Sequence, residues 1–382
     1  MMNILFVTRG FPNEQDIMDG NYEAVQAKAL AANNCNVSVI VIREKTIGHL
    51  FQSVAISHRV VDGVDVYEGI YIALKTRFIR RINKYLRKIA YDKAFKKCVH
   101  EKGMPDVVHA HLLYIAFYSF FLKRKYSLPF VITEHWSKVF RDTMPNWIKQ
   151  ITNTYYYADQ VICVSQSLAD SLKKKYHVDS IVINNMLNDI FFKSDEIERH
   201  DDEFRFIACG AFREDKLKGF DILVDAFALA HFPEKVHLYI VGDGVERPFI
   251  EEMILKYNLS SQIHLLGTKT PEEVSKLYDS SDCFVLSSRL ETFAIVVIEA
   301  MAKGLPVIAT KCGGPESFLL PEHGLLVEKE DVDALSIALK YMKDHYRDYD
   351  PIRIREYCYN HFSQDVIANQ IIDVYKRVIY GK

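Results

Sequence analysis

Two glutamates bracket an apolar stretch in the second half of the chain. The run ETFAIVVIEA places Glu291 at its first position and Glu299 eight residues later. The strand-like run DCFVLSS precedes it, so we expect a turn at residues 289–292 and a helix that begins near Phe293. Free amides at a helix start bind phosphate, and carboxylates accept hydrogen bonds from hydroxyl groups. With Glu299 about 9 Å along the helix axis, this spacing indicates a ligand that carries a phosphate between two sets of hydroxyls.

Polar residues also follow other predicted strands. The runs DVVHAH and FVITEH end in His111 and in Glu134 and His135. Ligands of open parallel sheets bind beyond the carboxyl ends of the strands, so we predict that these three residues line a ligand-binding cleft. The alternative for each is a polar residue satisfied within the core. Their spacing is not that of metal ligands, and we expect no metal.

A lysine and a glycine, Lys218 and Gly219, precede the helix-like run FDILVDAFALA. The start of a helix already carries partial positive charge, so a lysine there is favourable when an anion binds beside it. In the first half, Gly20 precedes the helix-like run NYEAVQAKALAAN. Gly20 would let a ligand approach the backbone closely, or it is an ordinary loop glycine.

The alternation of strands and helices places these residues in two α/β domains. Residues 1–192 contain the strand-like runs NILFVT, NVSVIVI, PDVVHAH, PFVITEH, QVICVS and IVINN. Residues 203–360 contain EFRFIACG, VHLYIVGDG, QIHLLG, DCFVLSS and LPVIAT, with helical patterns between them. This order indicates two doubly wound parallel sheets with a cleft between the domains. The charged segment KSDEIERHDDE is the predicted linker, and residues 361–382 form an amphipathic helix.

Local signals mark two helix boundaries in the second domain. Thr270, Pro271 and Glu273 fit a helix start with a capping hydroxyl, a proline in the first turn and an acid at the third position. Gly304 follows Lys303 as a glycine that ends a helix.

Composition excludes several classes of protein. A net charge of −2 over 382 residues gives no basic field for nucleic acid. No apolar run is long enough for a membrane span, and the start MMNILFVTRG is typical of a strand rather than a signal peptide. The seven scattered cysteines indicate reduced core thiols in a cytoplasmic protein. The glycine fingerprint of a dinucleotide dehydrogenase is missing.

The run SSRLETFAIVVIEAMAKGLPVIATKCGGPESF, together with LKGFDILVDAF, DVVHAH and FVITEHWS, resembles the family 4 retaining glycosyltransferases of the GT-B fold, also called glycosyl transferases group 1. The resemblance spans essentially the whole chain. It implies two Rossmann-like domains that face each other across a cleft, with the last helix returning to the N-terminal domain. It also implies a nucleotide-sugar donor held by the second domain and an acceptor held by the first.

The resemblance assigns roles to individual positions. Glu291 would bind the hydroxyls of the donor sugar, Glu299 the ribose, and Lys218 the diphosphate, while His111 would lie beside the transferred sugar. The implied catalytic residues are His111, Glu291 and Lys218. The implied donor-binding residues are Gly20, Arg213, Lys218, Glu291, Thr292, Phe293, Ala294, Ile295 and Glu299, and Glu134 and His135 lie on the acceptor side.

Three positions depart from the family pattern. Ala211 stands where an arginine is frequent, and Arg213 is the predicted substitute. Ala294 replaces a glycine, with little expected loss if its φ is negative. The loop DGNY carries Gly20 in place of a glycine pair.

The activity implied by the resemblance is transfer of a sugar from a UDP- or GDP-sugar to a glycan or lipid-linked acceptor, with retention of anomeric configuration and without a cofactor. We expect a role in bacterial surface polysaccharide or glycolipid synthesis. Two alternatives are a non-catalytic subunit that binds sugar nucleotides and a nucleotide-sugar epimerase of the same fold.

Residues 74–98 are rich in lysine and arginine, and apolar residues recur there at helical spacing. Such a helix would lie on an anionic membrane surface, which would place the protein at the inner face of the plasma membrane. The alternative is a solvated helix whose apolar side packs on its own domain.

Overall fold

The chain folds into two compact units. The computed structural model describes residues 1–14, 16, 19–46, 56–73, 80–140, 151–193 and 202–381. The N-terminal unit comprises Met1–Met186 together with Gln364–Lys382, and the C-terminal unit comprises Leu187–Ser363. Both units are α/β structures built on sheets of mainly parallel strands, which is the predicted fold class.

An eight-stranded sheet forms the centre of the N-terminal unit, with strand order β3-β4-β2-β1-β5-β6-β7-β8. Its strands are β1 (Met2–Thr8), β2 (Cys35–Thr46), β3 (Ser57–Val61), β4 (Val64–Ala73), β5 (Val107–His111), β6 (Phe130–Glu134), β7 (Gln160–Cys163) and β8 (Ile181–Val182). All neighbours pair in parallel except β3 and β4. Every residue of β5 and β6 is buried, as expected when helices cover both faces of a sheet. The helices before the C-terminal unit are α1 (Asn21–Ala32), α2 (Arg80–Lys102), α3 (Leu113–Ser119), α4 (Phe121–Tyr126), α5 (Asn153–Tyr157) and α6 (Gln166–Tyr176).

The C-terminal unit contains a six-stranded, fully parallel sheet with strand order β11-β10-β9-β12-β13-β14. Its strands are β9 (Phe204–Cys209), β10 (Val236–Val241), β11 (Ile263–Gly267), β12 (Cys283–Leu286), β13 (Val307–Thr310) and β14 (Gly324–Val327). Its helices are α7 (Phe220–Ala230), α8 (Arg247–Lys256), α9 (Pro271–Asp279), α10 (Ile295–Ala302), α11 (Val332–His345) and α12 (Pro351–Phe362).

Both predicted helix boundaries are confirmed. At the start of α9 the Thr270 hydroxyl accepts from the Glu273 amide, and the Glu273 carboxylate accepts from the Thr270 amide at 2.8 Å. After α10, Gly304 adopts a φ of +81°, and its amide donates to the carbonyl of Met301 at 2.9 Å. Glycine adopts this left-handed conformation without a steric penalty, which is why it ends the helix here.

The last helix, α13 (Gln364–Tyr380), belongs to the N-terminal unit, as the fold class predicted. Its apolar side packs with α1 in the core beside β1 and β2. Tyr375 is fully buried, and its hydroxyl lies 2.6 Å from Nδ1 of His109 on β5. This contact joins residues 266 positions apart in the chain.

The boundary between the units differs from the predicted one. We expected the first domain to extend to residue 192, but the C-terminal unit already begins at Leu187. The Leu187 amide donates to the carbonyl of Phe362 at 2.8 Å, and Phe191 is buried against Tyr278. The charged segment therefore does not mark the start of the boundary between the units, because the apolar segment before it packs into the second unit. Residues 194–201 of that linker lie outside the described residues.

The hairpin of β3 and β4 was also missed by sequence analysis. Asp62 and Gly63 form its turn, both with positive φ. An Asp-Gly pair between β-rich runs is a strong hairpin signal, so the sequence carried enough information to find it.

We predict that Tyr375→Phe lowers the free energy of unfolding by about 1–3 kcal/mol, because it leaves Nδ1 of the buried His109 without its partner. Equilibrium urea unfolding measures this change. Tyr380→Phe is the matched control, since Tyr380 lies on the same helix and is 67% exposed. Equal unfolding midpoints for the Tyr375 variant and the wild type would contradict the prediction.

Candidate donor and acceptor sites

A lysine–glutamate ion pair forms the centre of the candidate donor site in the C-terminal unit. Nζ of Lys218 lies 2.7 Å from Oε1 of Glu291, and the Ser288 hydroxyl donates to the same oxygen at 2.8 Å. Lys218 follows β9, and Ser288 and Glu291 follow β12, so the carboxyl ends of two neighbouring strands supply the group. Burial alone would lower the pKa of Lys218, but the carboxylate of Glu291 outweighs it and the pKa is raised. The lysine therefore stays positively charged.

Backbone contacts hold the loops after β9 and β12 together. The Ser287 hydroxyl donates to the carbonyl of Lys218 at 3.0 Å. Gly219 has a φ of +64°, and a Cβ atom there would lie 2.1 Å from the carbonyl oxygen of Ser287. Glycine is required at this position because no side chain fits between the two loops. Arg289 also joins the loop after β12 to α7, because it forms a bidentate ion pair with Asp221 at 2.8 and 3.0 Å.

The helix after Glu291 begins at Ile295, two residues later than predicted. Ala294 is its N-cap residue and has a φ of +70°. The negative φ on which the expectation of little loss depended is therefore not observed. Phe293 is buried and packs against Phe318 and Phe362, so its ring belongs to the core. Within the described residues, the amides of Ala294 and Ile295 have no acceptor. They remain available for an anion at the start of α10.

Glycines and an acid in the next loop support this turn. A Cβ atom on Gly314 would lie 2.4 Å from the carbonyl oxygen of Phe293. The Gly313 amide donates to both carboxylate oxygens of Glu316 at 2.9 Å. The Glu291 amide donates to the carbonyl of Cys312 at 2.9 Å, so the loop after β13 also fixes the backbone of Glu291.

Glu299 lies one turn into α10 and has a different electrostatic environment from Glu291. Burial raises the pKa of Glu299 to about 7, although the Tyr278 hydroxyl and the charge of Lys218 act in the opposite direction. The Tyr278 hydroxyl lies 3.4 Å from Oε2 of Glu299. Glu291 is thus paired with a lysine, whereas Glu299 has a pKa of about 7.

Arg213 is not part of this group in the structure. Its exposed guanidinium pairs with Asp215 at 3.1 Å. Ala211, which stands at the position of the frequent family arginine, is also exposed. Thr292 is half-buried beside Glu291.

Histidines form a buried cluster at the carboxyl end of β5 in the N-terminal unit. The rings of His109 and His111 stack with centroids 4.5 Å apart, and His135 meets His111 edge-on at 5.8 Å. Burial and the neighbouring histidines lower the pKa of His111 well below its ordinary value, so His111 is neutral. Its buried Nε2 has no hydrogen-bond partner among the described residues. His135 is more exposed, and its Nε2 lies 4.0 Å from a carboxylate oxygen of Glu23.

Glu134 is fully buried, and its own chain uses both of its oxygens. Oε2 accepts from the Leu113 amide at 3.0 Å and from the Tyr155 hydroxyl at 2.6 Å. Oε1 accepts from the amides of His135 and Trp136 at 2.9 and 2.8 Å. This carboxylate anchors the strand-end loops, so we no longer assign it to direct acceptor contact. Gly20 has a similar structural role, since a Cβ atom there would lie 2.2 Å from the carbonyl oxygen of Gly10.

Comparison with known proteins identifies the family. The model described as Glycosyltransferase Family 4 matches residues 24–189, and the model described as Glycosyl transferases group 1 matches residues 189–357. The chain is a family 4 glycosyltransferase.

Related chains and structures agree with this assignment. A glycosyltransferase of Methanocaldococcus jannaschii that has not been characterized is 32% identical over 63% of this chain and 66% of its own length. The N-acetyl-alpha-D-glucosaminyl L-malate synthase of Bacillus anthracis is 30% identical over 58% of this chain and 60% of its own length. The fold matches that of sucrose-phosphate synthase from Thermosynechococcus elongatus, with a TM-score of 0.79, 21% identity and full coverage of both chains. It also matches Anabaena HepE in complex with UDP, with a TM-score of 0.75, 18% identity and coverage of 98% and 99%.

Some residues of this family 4 glycosyltransferase that shape the site were missed by sequence analysis. The side chains of Ser288 and Tyr278 contact the predicted residues Glu291 and Glu299, and the side chain of Arg289 pairs with Asp221 on α7. Ser288 and Arg289 lie within the motif run itself, so their position gave a signal. Tyr278 lies on α9, and only the fold brings it to Glu299. Among the described residues, no three His, Cys, Asp or Glu side chains could hold a metal ion together, and metal independence stays a prediction.

We predict that Ala294→Gly raises the free energy of unfolding by about 1 kcal/mol, because an alanine with positive φ is strained and a glycine is not. Thermal unfolding of the purified chain measures the effect. Ala228→Gly is the matched control on α7, where an ordinary helical alanine is lost, and it should destabilise by about 1 kcal/mol. A destabilised Ala294 variant would show that the strain argument is wrong.

Proposed function

We propose that this glycosyltransferase transfers a sugar from a UDP- or GDP-sugar to a glycan or lipid-linked acceptor with retention of anomeric configuration. The observation that carries the donor assignment is the Lys218–Glu291 ion pair beside the uncapped start of α10. A cation, free amides and a carboxylate at one edge of a sheet suit a phosphorylated sugar. Anabaena HepE, which shares the fold, is solved with UDP-glucose, and this supports a nucleotide-sugar donor here.

Each donor-site residue has a role that follows from its charge and contacts. Lys218 would turn from Glu291 towards the diphosphate, and the amides of Ala294 and Ile295 would hold the phosphate oxygens. Glu291, fixed by Ser288, would accept hydrogen bonds from the sugar hydroxyls. Glu299 would accept them from the ribose. Arg213 would contribute only after leaving Asp215.

The chemistry of the proposed reaction depends on the leaving group. The bond between the anomeric carbon and the phosphate oxygen breaks, and the nucleoside diphosphate takes the electron pair. Lys218 and the helix amides stabilise the charge that develops on that oxygen. The acceptor hydroxyl adds on the same face and gives its proton to the departing phosphate. A glycosyl-enzyme adduct trapped by mass spectrometry would overturn this front-face route.

The resemblance places His111 beside the transferred sugar. Its neutral imidazole and its unpartnered buried Nε2 support a hydrogen-bonding role rather than that of a charged acid. The sugar would satisfy a nitrogen atom that the chain itself leaves without a partner.

We also propose bacterial surface polysaccharide or glycolipid synthesis as the setting, with the protein in the cytoplasm at the inner face of the plasma membrane. No helix in the described part of the chain is long and apolar enough to cross a bilayer. The cationic residues of α2 support peripheral contact with an anionic surface.

A thermal-shift screen of UDP-, GDP- and ADP-sugars tests the donor site. A bound donor at a hundred times its dissociation constant stabilises the protein by about 2.7 kcal/mol, and we expect a UDP- or GDP-sugar to do so. Lys218→Ala should abolish the shift and lower turnover by about 100-fold or more, because it removes the cation that faces the diphosphate.

Lys269→Ala is the matched control, since Lys269 pairs with Glu273 at the exposed start of α9. An unchanged shift in the Lys218 variant would show that this lysine does not bind the donor. Donor binding without sugar transfer or donor hydrolysis under any condition would instead favour the non-catalytic subunit.

We further predict that affinity for UDP rises with pH, by about tenfold between about pH 6 and pH 8. The free protein keeps a proton on Glu299 up to about pH 7, and ribose hydroxyls bind the ionised form best. Binding at lower pH therefore requires release of that proton. Isothermal titration calorimetry measures the trend, and Glu299→Gln should bind weakly with little dependence on pH. Equal pH dependence in both proteins would assign the trend to another group.

A further inference from the structure

A cavity of about 730 Å³ opens in the N-terminal unit among α2, α3, α4 and α5. Aromatic rings and cations dominate its lining, and none of the described residues that line it is acidic. The cations that matter here are Lys84 and Lys88 on α2 and Arg124 on α4. A cavity of this size can hold a small organic ligand or the head group and first carbons of a lipid.

The three cations have aromatic neighbours instead of carboxylates. Nζ of Lys84 lies 4.5 Å from the ring centre of Phe117, and Nζ of Lys88 lies 5.1 Å from that of Phe121. The Arg124 guanidinium lies 5.4 Å from the ring centre of Tyr157. In the described part of the chain, no ion pair engages any of these three side chains. Cation–π contact orients a cation but leaves its charge uncompensated, so the cavity is set up for an anion.

Neighbouring cations contrast with these three. Lys125 pairs with Asp92 at 2.6 Å, Lys96 pairs with the same carboxylate at 2.8 Å, and Lys102 pairs with Asp65 at 2.8 Å. The cavity therefore gathers three cations without a carboxylate partner, whereas Lys93 and Lys97, which also form no ion pair in the described part of the chain, do not line it.

The lining of the cavity does not include the histidine cluster. It does not contain His111, Glu134 or His135. Phe120 packs on Phe130, the first residue of β6, and Tyr157 lies three residues before β7. The cavity is thus a second site in the N-terminal unit, formed by residues other than the predicted acceptor-side residues.

The two halves of α2 differ in the exposure of their apolar residues. In the second half Tyr91, Phe95 and Cys98 are buried. In the first half Ile82 is 49% exposed, and Tyr85, which lines the cavity, is 65% exposed. Part of the predicted membrane segment, residues 74–79, lies outside the described residues. Exposed tyrosines beside lysine and arginine are typical of side chains at the head-group level of a bilayer.

We propose that this cavity binds the phosphate group of an anionic membrane phospholipid. Lys84, Lys88 and Arg124 contact the phosphate, and the surrounding rings pack on the adjoining apolar carbons. Membrane contact then depends on a discrete site in the N-terminal unit rather than on the overall charge of α2.

Vesicle sedimentation tests the proposal without any nucleotide sugar, so its outcome is independent of the donor site. The vesicles contain phosphatidylcholine with a quarter phosphatidylglycerol. Lys88→Ala and Arg124→Ala should each weaken binding about fivefold, which is the loss expected for one cation that contacts lipid phosphate. Lys93→Ala is the matched control, since Lys93 is exposed on the same helix and does not line the cavity. It should weaken binding less than twofold.

A second measurement separates the site from general charge attraction. Short-chain phosphatidylglycerol below its micelle concentration should bind in calorimetry, and Arg124→Ala should weaken that binding by the same factor of about five. Equal losses for Lys93→Ala and Arg124→Ala on vesicles would overturn the proposal. The proposal would also be overturned if UDP or an acidic oligosaccharide bound in the cavity and the short-chain lipid did not. If an Arg124 variant unfolds early, Lys84→Ala provides the same comparison at another exposed position.

Discussion

The donor site depends on the need of one partly buried lysine for a negative partner. Burial beside β9 disfavours the charged form of Lys218, and the carboxylate of Glu291 at 2.7 Å offsets this effect. Because the two residues come from loops after different strands, the ion pair fixes the distance between those loops. The glycines around it follow from that distance. Gly219 lets the Lys218 loop touch Ser287, and a Cβ atom on Gly210 would lie 3.0 Å from the stem of Lys218.

The N-terminal unit stabilises its buried polar groups in another way. His109 is held between the hydroxyls of Tyr375 and Thr133, and burial lowers its pKa to about 3. Glu134 uses both oxygens on its own chain. These groups are satisfied internally, so they rigidify the strand ends instead of binding a ligand. His111 and His135 differ because Nε2 of each is buried without a hydrogen-bond partner in the described residues, and this contrast makes the two histidines the candidates for ligand contact.

The sequence was most informative where a signal is local. Strand–helix alternation, the Thr270 capping box and the Gly304 helix end depend on neighbouring residues, and all three were predicted correctly. Features that depend on distant contacts were not. The unit boundary is set by Leu187 meeting Phe362, more than 170 residues away. The conformation of Ala294 is imposed by a turn packed against Gly314, and nothing in the residue type itself indicates it.

The same limit applies to the candidate site residues. The motif predicted that Glu291 lies before a helix and Glu299 within it, and the structure has the helix at Ile295–Ala302. Their difference in environment depends on Lys218, Ser288 and Tyr278, which come from other elements. A motif identifies the functional groups, whereas the tertiary structure determines their charge.

The charges of the site constrain how a donor binds. In the free protein Lys218 and Glu291 neutralise each other, so a diphosphate with two negative charges would leave the site negative. The neutral form of Glu299 reduces that excess, and the amide dipoles at the start of α10 offset part of it.

One more cation is needed for full compensation, and Ala211 cannot supply it. Arg213 is two residues from both Ala211 and Asp215, so a small change in this exposed loop would exchange Asp215 for the phosphate. Under the proposed function, donor affinity would therefore depend on breaking an exposed ion pair, which contributes little stability in water.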